Sequence, residues 1–146
     1  MFATRADIEA IYGARHLETL VPSDVDFDVA VGRALAAAQG VIESYIRKRY
    51  AVPVTASPVP ASLMNAAIDI ACWKLAPSSD RNSAEIALRA KAHVDWLKDV
   101  AAGRADIDEL EPASAAGMTG QAGTASEGGA AFVSDARRFE RGGRLL

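Results

Sequence analysis

Thiols, imidazoles and clustered carboxylates are where this chain could do chemistry, and it has few of them. Cys72 is its one cysteine, and His16 and His93 are its two histidines. A single thiol closes no intrachain disulfide, and the set is too small for a structural zinc site. Cys72 falls mid-helix between Ala71 and Trp73, where a thiol reads as a small buried hydrophobe rather than a nucleophile. Neither histidine has a nucleophile or carboxylate motif beside it in sequence. His93 lies on the apolar stripe of its own helix, which makes it a packing or subunit-contact histidine. Asp24, Asp26 and Asp28 have the spacing that opens a calcium loop, but the sixth position is Val29 where a sharp turn needs glycine. The twelfth is Leu35 where a bidentate glutamate is needed, so the triplet reads as helix capping. The glycines between 117 and 129 lack the strand, helix and lysine of a phosphate-cradling loop. Nothing assembles an acid, a base and an electrophile stabiliser, so the chain reads as no enzyme and calls for no cofactor or metal. One cluster could touch a polyanion: Arg47, Lys48 and Arg49 beside Tyr50, cations with an aromatic edge. As helix-end cations they also complement the helix dipole, so a DNA contact, a subunit contact and a solvated helix end all stay open.

The elements that must position these residues are helical. Thr4 caps a first helix from Arg5 to Tyr12, with Asp7 completing a capping box, and Gly13 ends it. A short stretch through Leu17 and Leu20 leads to the acidic turn. From about Phe27 to Tyr50, the residues Phe27, Val31, Leu35, Ala38, Ile42, Tyr45 and Ile46 recur at intervals of three and four. That is one buried stripe on a helix roughly 35 Å long. Pro53, Pro58 and Pro60 make residues 51–60 a stiff extended strap. A third helix runs from about Ala61 to Ala76 with Leu63, Ala67, Ile70 and Ala71 on one side, and Pro77 stops it. Ser83 caps a fourth, which reaches Gly103 through Ile86, Ala90, His93, Leu97 and Val100. Trp73 and Trp96 are expected to anchor the packing between these two.

With 146 residues, half of them hydrophobic but only 6% aromatic, the chain has the size of one ordinary domain built from closely packed, alanine-rich helices. The expected class is all-α: a small helical bundle, residues 1–105, with one long helix and an extended C-terminal tail. The tail divides at 131. Of the twenty residues Pro112 to Ala131, sixteen are Gly, Ala, Ser or Thr and one is charged, so 106–131 reads as a flexible linker. Residues 132–146 regain apolar character and carry four arginines against two acids, +2 in the last twelve residues, as a docking peptide would. Sixteen Lys plus Arg against nineteen Asp plus Glu give the whole chain a net charge of -3, which argues against coating phosphate by charge alone. No apolar run approaches the length that crosses a bilayer, and the amino terminus carries acid where a signal peptide would be apolar. The expected setting is therefore cytosolic or redox-indifferent, with no membrane partner.

FATRADIEAIYG at the start, the acid-rich turn before a long helix, VIESYIRKRYAVPV, LMNAAIDIACWKL after the proline strap, WLKDVAAGRADI and the final RRFERGGRLL together resemble the Mu-like tailed-phage family of small virion neck proteins. These are head–tail adaptors, also called connector or head-completion proteins. The most specific piece is SYIRKRYAVPV, Ser44 to Val54, where a helix ends in arginine and tyrosine before a proline-interrupted strap. The resemblance implies a structural subunit of the virion neck, made in the host cytoplasm. It would form a ring of copies, commonly twelve, beneath the portal protein ring of a DNA-filled capsid. Below it would sit a downstream neck or tail protein, a stopper or tail terminator. Duplex DNA would pass through the lumen without sequence-specific binding, which a mildly acidic subunit favours. The docking peptide is then the expected portal-binding element: Phe132, Val133, Arg137, Arg138, Phe139, Arg141, Arg144, Leu145 and Leu146. The competing class is a small helical DNA-binding regulator using Arg47 to Tyr50 and the arginine-rich tail, against which stand the net charge and the lack of a short basic recognition helix. A third is a soluble host-directed interaction protein with a disordered tail.

Overall fold

A computed structural model of the chain describes residues 1–76 and 83–113. Five helices follow in order: α1 (Arg5–Tyr12), α2 (Ala14–Leu20), α3 (Phe27–Ile46), α4 (Ala61–Leu75) and α5 (Ala84–Ala101). Among the described residues there is no strand, so the expected all-α class is the one observed.

The starts of α1, α3 and α5 follow from their side-chain caps. The Thr4 hydroxyl accepts from the Asp7 backbone N–H, and the Asp7 carboxylate accepts from the Thr4 N–H at 2.7 Å, closing the capping box. Asp26 is the member of the acidic triplet that caps α3, its Oδ1 accepting from the Val29 N–H at 2.9 Å. Asp28 instead accepts from Arg5 at 2.5 Å and ties α1 to the mouth of α3. Ser83 accepts from the Ile86 N–H to cap α5. The stretch through Leu17 and Leu20 is a helix in its own right. Gly13, at φ +84°, takes a turn that side chains resist and so lets α1 stop and α2 begin one residue later.

The long helix buries the expected stripe of Val31, Leu35, Ala38, Ile42 and Ile46. It ends at Ile46, four residues before Tyr50, because the chain must turn there for the Tyr50 ring to enter the core. In α4, burial is not confined to one side: residues 66 to 72 are buried without a break, as expected of a helix enclosed on all sides. Pro60, fully buried, seats its start. Trp73 does not anchor α4 to α5. It is exposed, while Trp96 packs only partly against the core. Where α4 and α5 pack, the buried residues are small and aliphatic instead: Ile86, Ala90 and Leu97 on α5, and Ala66, Ala67, Ile68, Ile70 and Ala71 on α4.

Packing continues past residue 105. Arg104 N–H bonds to Asp99 C=O and Gly103 N–H to Val100 C=O, at 2.8 and 3.1 Å, with Gly103 at φ +77°: a Schellman ending that reverses the chain. Ile107 is then buried, Leu110 packs against the core, and the Ala113 N–H bonds to the Arg49 carbonyl at 2.7 Å. Residues 106 to 113 therefore belong with the bundle rather than with the linker expected from 106. Segments 114–131 and 132–146 lie outside the described residues. The Ile107 N–H finds its acceptor in the Tyr50 hydroxyl at 3.0 Å. Tyr50→Phe leaves that buried donor without a partner and is expected to cost about 1–3 kcal/mol. Urea unfolding should show the loss at unchanged slope, with faster hydrogen exchange at the Ile107 amide.

Candidate functional site

Two polar constellations stand out among the described residues. The first is centred on Asp69, the one buried charged residue there, in the middle of α4. Tyr12, at the end of α1, donates its hydroxyl to Asp69 Oδ1 at 2.5 Å. His93 of α5 places Nε2 3.0 Å from Oδ2, and Arg89, one turn earlier, stands 3.9 Å from Oδ1. The Arg89 guanidinium also lies over the Tyr12 ring, 4.7 Å from its centroid, and the His16 ring sits 5.6 Å away on α2. Two helices, α1 and α5, thus send polar side chains to a carboxylate on a third.

The electrostatics follow from that convergence. Burial alone would raise the Asp69 pKa, but the hydrogen bonds from His93 and Tyr12 and the charge of Arg89 outweigh it and hold the carboxyl below its ordinary range. The same burial, with the hydrogen bond to a negative acceptor, pushes the Tyr12 phenol upward. Cys72, one turn beyond Asp69, is buried, and its thiol is pushed up to about 11, first by burial and then by the neighbouring carboxylate. This matches the small buried hydrophobe expected there. His93, by contrast, is no apolar packing residue. Its partner lies 24 positions away on another helix, which no motif search along the sequence could connect.

The second constellation is the basic corner after α3. Arg47 and Lys48 are exposed, Arg47 reaching back to the Glu43 carbonyl. Arg49 turns the other way: Nη1 donates to the carbonyls of Val100 and Ala105, at 3.3 and 3.0 Å, and pairs with Asp106 at 2.8 Å. It caps the end of α5 with a fixed cation, a placement that satisfies orphan carbonyls. Tyr50 is buried. The four residues expected to form one contact surface are therefore split, two facing solvent and two holding the fold. The docking residues from Phe132 to Leu146 lie outside the described residues.

Among the described residues no group of three or more His, Cys, Asp or Glu is placed to hold a metal ion, and no helix is long and apolar enough to cross a membrane. The fold and its sites thus define a small helical-bundle protein whose interior polar groups tie helices together. The family described as Bacteriophage Mu, Gp36 matches residues 2–125, and the chain belongs to that family of phage proteins. No curated protein matches the sequence.

The Asp69 network carries a pH signature. Its carboxyl titrates lower in the folded chain than its ordinary value of 3.8, so the stabilisation is complete above that value and is lost as pH falls through the folded pKa. Asp69→Asn should be less stable than the parent at neutral pH. The gap should close only below about pH 4, as measured by denaturant unfolding of both proteins across a pH series.

Proposed function

We propose that this protein is a structural component of the virion neck: a head–tail connector that forms a ring below the portal, joins the DNA-filled head to the next neck or tail protein, and lets duplex DNA pass. The observation that carries this reading is the match to the Mu Gp36 family over residues 2–125. Physical features support it. A net charge of -3 disfavours adhesion of duplex DNA to a lumen built from many copies. The side chains with catalytic potential are engaged in holding helices together, as Asp69 is by Tyr12 and His93. We therefore read the role as structural rather than enzymatic, exercised in the virion.

A DNA-binding regulator would need the cluster Arg47 to Tyr50 as a free surface. With Tyr50 buried and Arg49 committed to α5, only Arg47 and Lys48 face solvent there. In the connector reading, the portal contact is assigned to residues 132–146, which combine two phenylalanines with four arginines. Aromatic anchors flanked by arginine suit a contact that buries the ring and pairs the guanidinium groups with carboxylates on the neighbouring ring.

Deleting residues 132–146 is expected to leave the bundle folded and to abolish attachment to portal-bearing heads, measured by co-sedimentation. Phe139→Ala should weaken attachment by about 2 kcal/mol. Ring closure is expected to depend on the portal, and the isolated protein should be monomeric or weakly associated by native mass measurement. Unchanged attachment of the truncated chain moves the docking site to the helices, and stable rings of the protein alone rule out templated assembly.

A further inference from the structure

The last turn of α4 is where the surface departs most from the chain's acidic average, and two grooves meet there. One, of about 420 Å³, is lined by that turn and by α3, with Pro22, Val25 and Leu75 as apolar groups and Arg33 and Lys74 as charged ones. The other, of about 360 Å³, is lined by Trp73 and by α5, where Ala90 and Val94 are accompanied by Lys91, Asp95 and Lys98. Lys74 joins them. It lines the first groove, and its ammonium stands 5.5 Å from the centre of the Trp73 ring, which lines the second. The two linings together hold four cations and one acid, in a chain whose net charge is -3. Asp24 and Asp26 adjoin Val25 in sequence, so the positive excess runs from Arg33 to Lys98 and stops short of the α3 turn.

What this face lacks is counter-charge. Lys91 and Lys98 share Asp95, at 3.4 and 2.7 Å, and one carboxylate does not neutralise two ammonium groups. Arg33 and Lys74 pair with no carboxylate among the described residues, and Lys74 is partly withdrawn from water beside the indole. A cation in that setting gains more from an incoming carboxylate than a fully hydrated one does. Apolar surface accompanies the charge: Trp73 is 43% exposed and Val25 41%. A tryptophan standing between two apolar grooves is the kind of group that carries a protein contact. We propose that this face docks an acidic, amphipathic segment of a partner protein, whose apolar side chains enter the two grooves on either side of Trp73 while its carboxylates meet Arg33, Lys74, Lys91 and Lys98. Polypeptide fits better than nucleic acid. Asp95 sets a carboxylate between the two lysines that a phosphate backbone would have to follow, and the grooves are lined by aliphatic groups with a single aromatic ring to stack on. The chain's own residues 132–146 suit the face poorly, since their four arginines against two acids repeat its charge. The site is therefore a second contact, beyond the portal contact assigned to those residues, and it stands independently of that assignment.

Selection from a random-peptide library on the full-length protein tests the site, with binding of the enriched peptides measured by fluorescence anisotropy. Those peptides should combine several Asp or Glu with large apolar residues, and their binding should weaken as salt is raised. Trp73→Ala, Lys74→Glu and Arg33→Glu, each checked for unchanged helical circular dichroism, should weaken it about tenfold. Lys48→Glu, the same charge change outside both linings, should leave it unchanged. Failure to enrich any peptide overturns the proposal, as does an enriched set that is uncharged or basic. Binding that the three variants do not weaken places the site elsewhere, and equal loss with Lys48→Glu reduces the effect to overall charge; either result overturns it. An oligonucleotide that displaces the peptides at lower concentration than they bind assigns the face to nucleic acid. A dimer in native mass measurement that Lys74→Glu abolishes assigns it to a second copy. Both of these also overturn the proposal.

Discussion

A carboxylate inside a helix that is buried on every side is the constraint around which this bundle is arranged. Helix α4 is buried through its centre, so Asp69, with its side chain only 11% exposed, relies on protein groups for most of its hydrogen bonds. An isolated ion in such a place costs several kcal/mol, far more than an exposed pair such as Arg5 with Asp28 returns. Tyr12 and His93 meet that demand directly, and Arg89 supplies positive charge nearby. The consequence is topological. The end of α1 and the middle of α5 must both lie against the same turn of α4, whatever their apolar faces would otherwise prefer. An apolar residue at 69 would have removed the desolvation cost and also the requirement for one arrangement.

The second fixed point is the corner after α3. Arg49 and Tyr50 are neighbours that hold opposite sides of one junction: the guanidinium closes the carbonyl end of α5, and the phenol accepts from the strand of chain that follows. With the Ala113 N–H bonded to the Arg49 carbonyl, the course of the chain from Ala101 to Ala113 is set by two residues at the end of α3. Any segment downstream of 113 therefore starts from a defined point on the bundle. For a protein proposed to dock through its last fifteen residues, that origin matters as much as the docking residues themselves.

These interior devices leave the outside to surface chemistry. Two polar networks account for the buried charge and for the end of α5, while Val25, Val29, Trp73 and Leu88 stay exposed. Membership of the Mu Gp36 family places the chain among phage proteins, and a bundle whose polar groups tie helices together suits a part that acts by contact. The proposed role depends on contacts of that kind, to like copies and to the portal.

Local rules were sufficient for much of this. Thr4 with Asp7, Asp26 before α3 and Ser83 before α5 are caps because their side chains reach N–H groups within three residues, and the stripe of α3 follows from its 3.6-residue period. The readings of Cys72 as buried and of the acidic triplet as capping rest on the same short range. What the sequence could not show is which partners meet across the bundle. Asp69 and His93 are 24 residues apart and Arg49 and Ala105 are 56 apart, so their pairing depends on how helices cross, which no periodicity encodes. For the same reason the sequence points to Trp73 as an anchor, a role the fold does not give it. A large apolar side chain on a helix argues for burial, but α4 meets α5 through alanines and isoleucines, and close approach of small residues leaves no room between the helices for an indole. The sequence by itself determined the helices, their caps and their inward stripes, because those depend on neighbours within a turn. Only the tertiary structure decided which polar groups hold the fold and which stay at the surface, because that depends on how the helices cross.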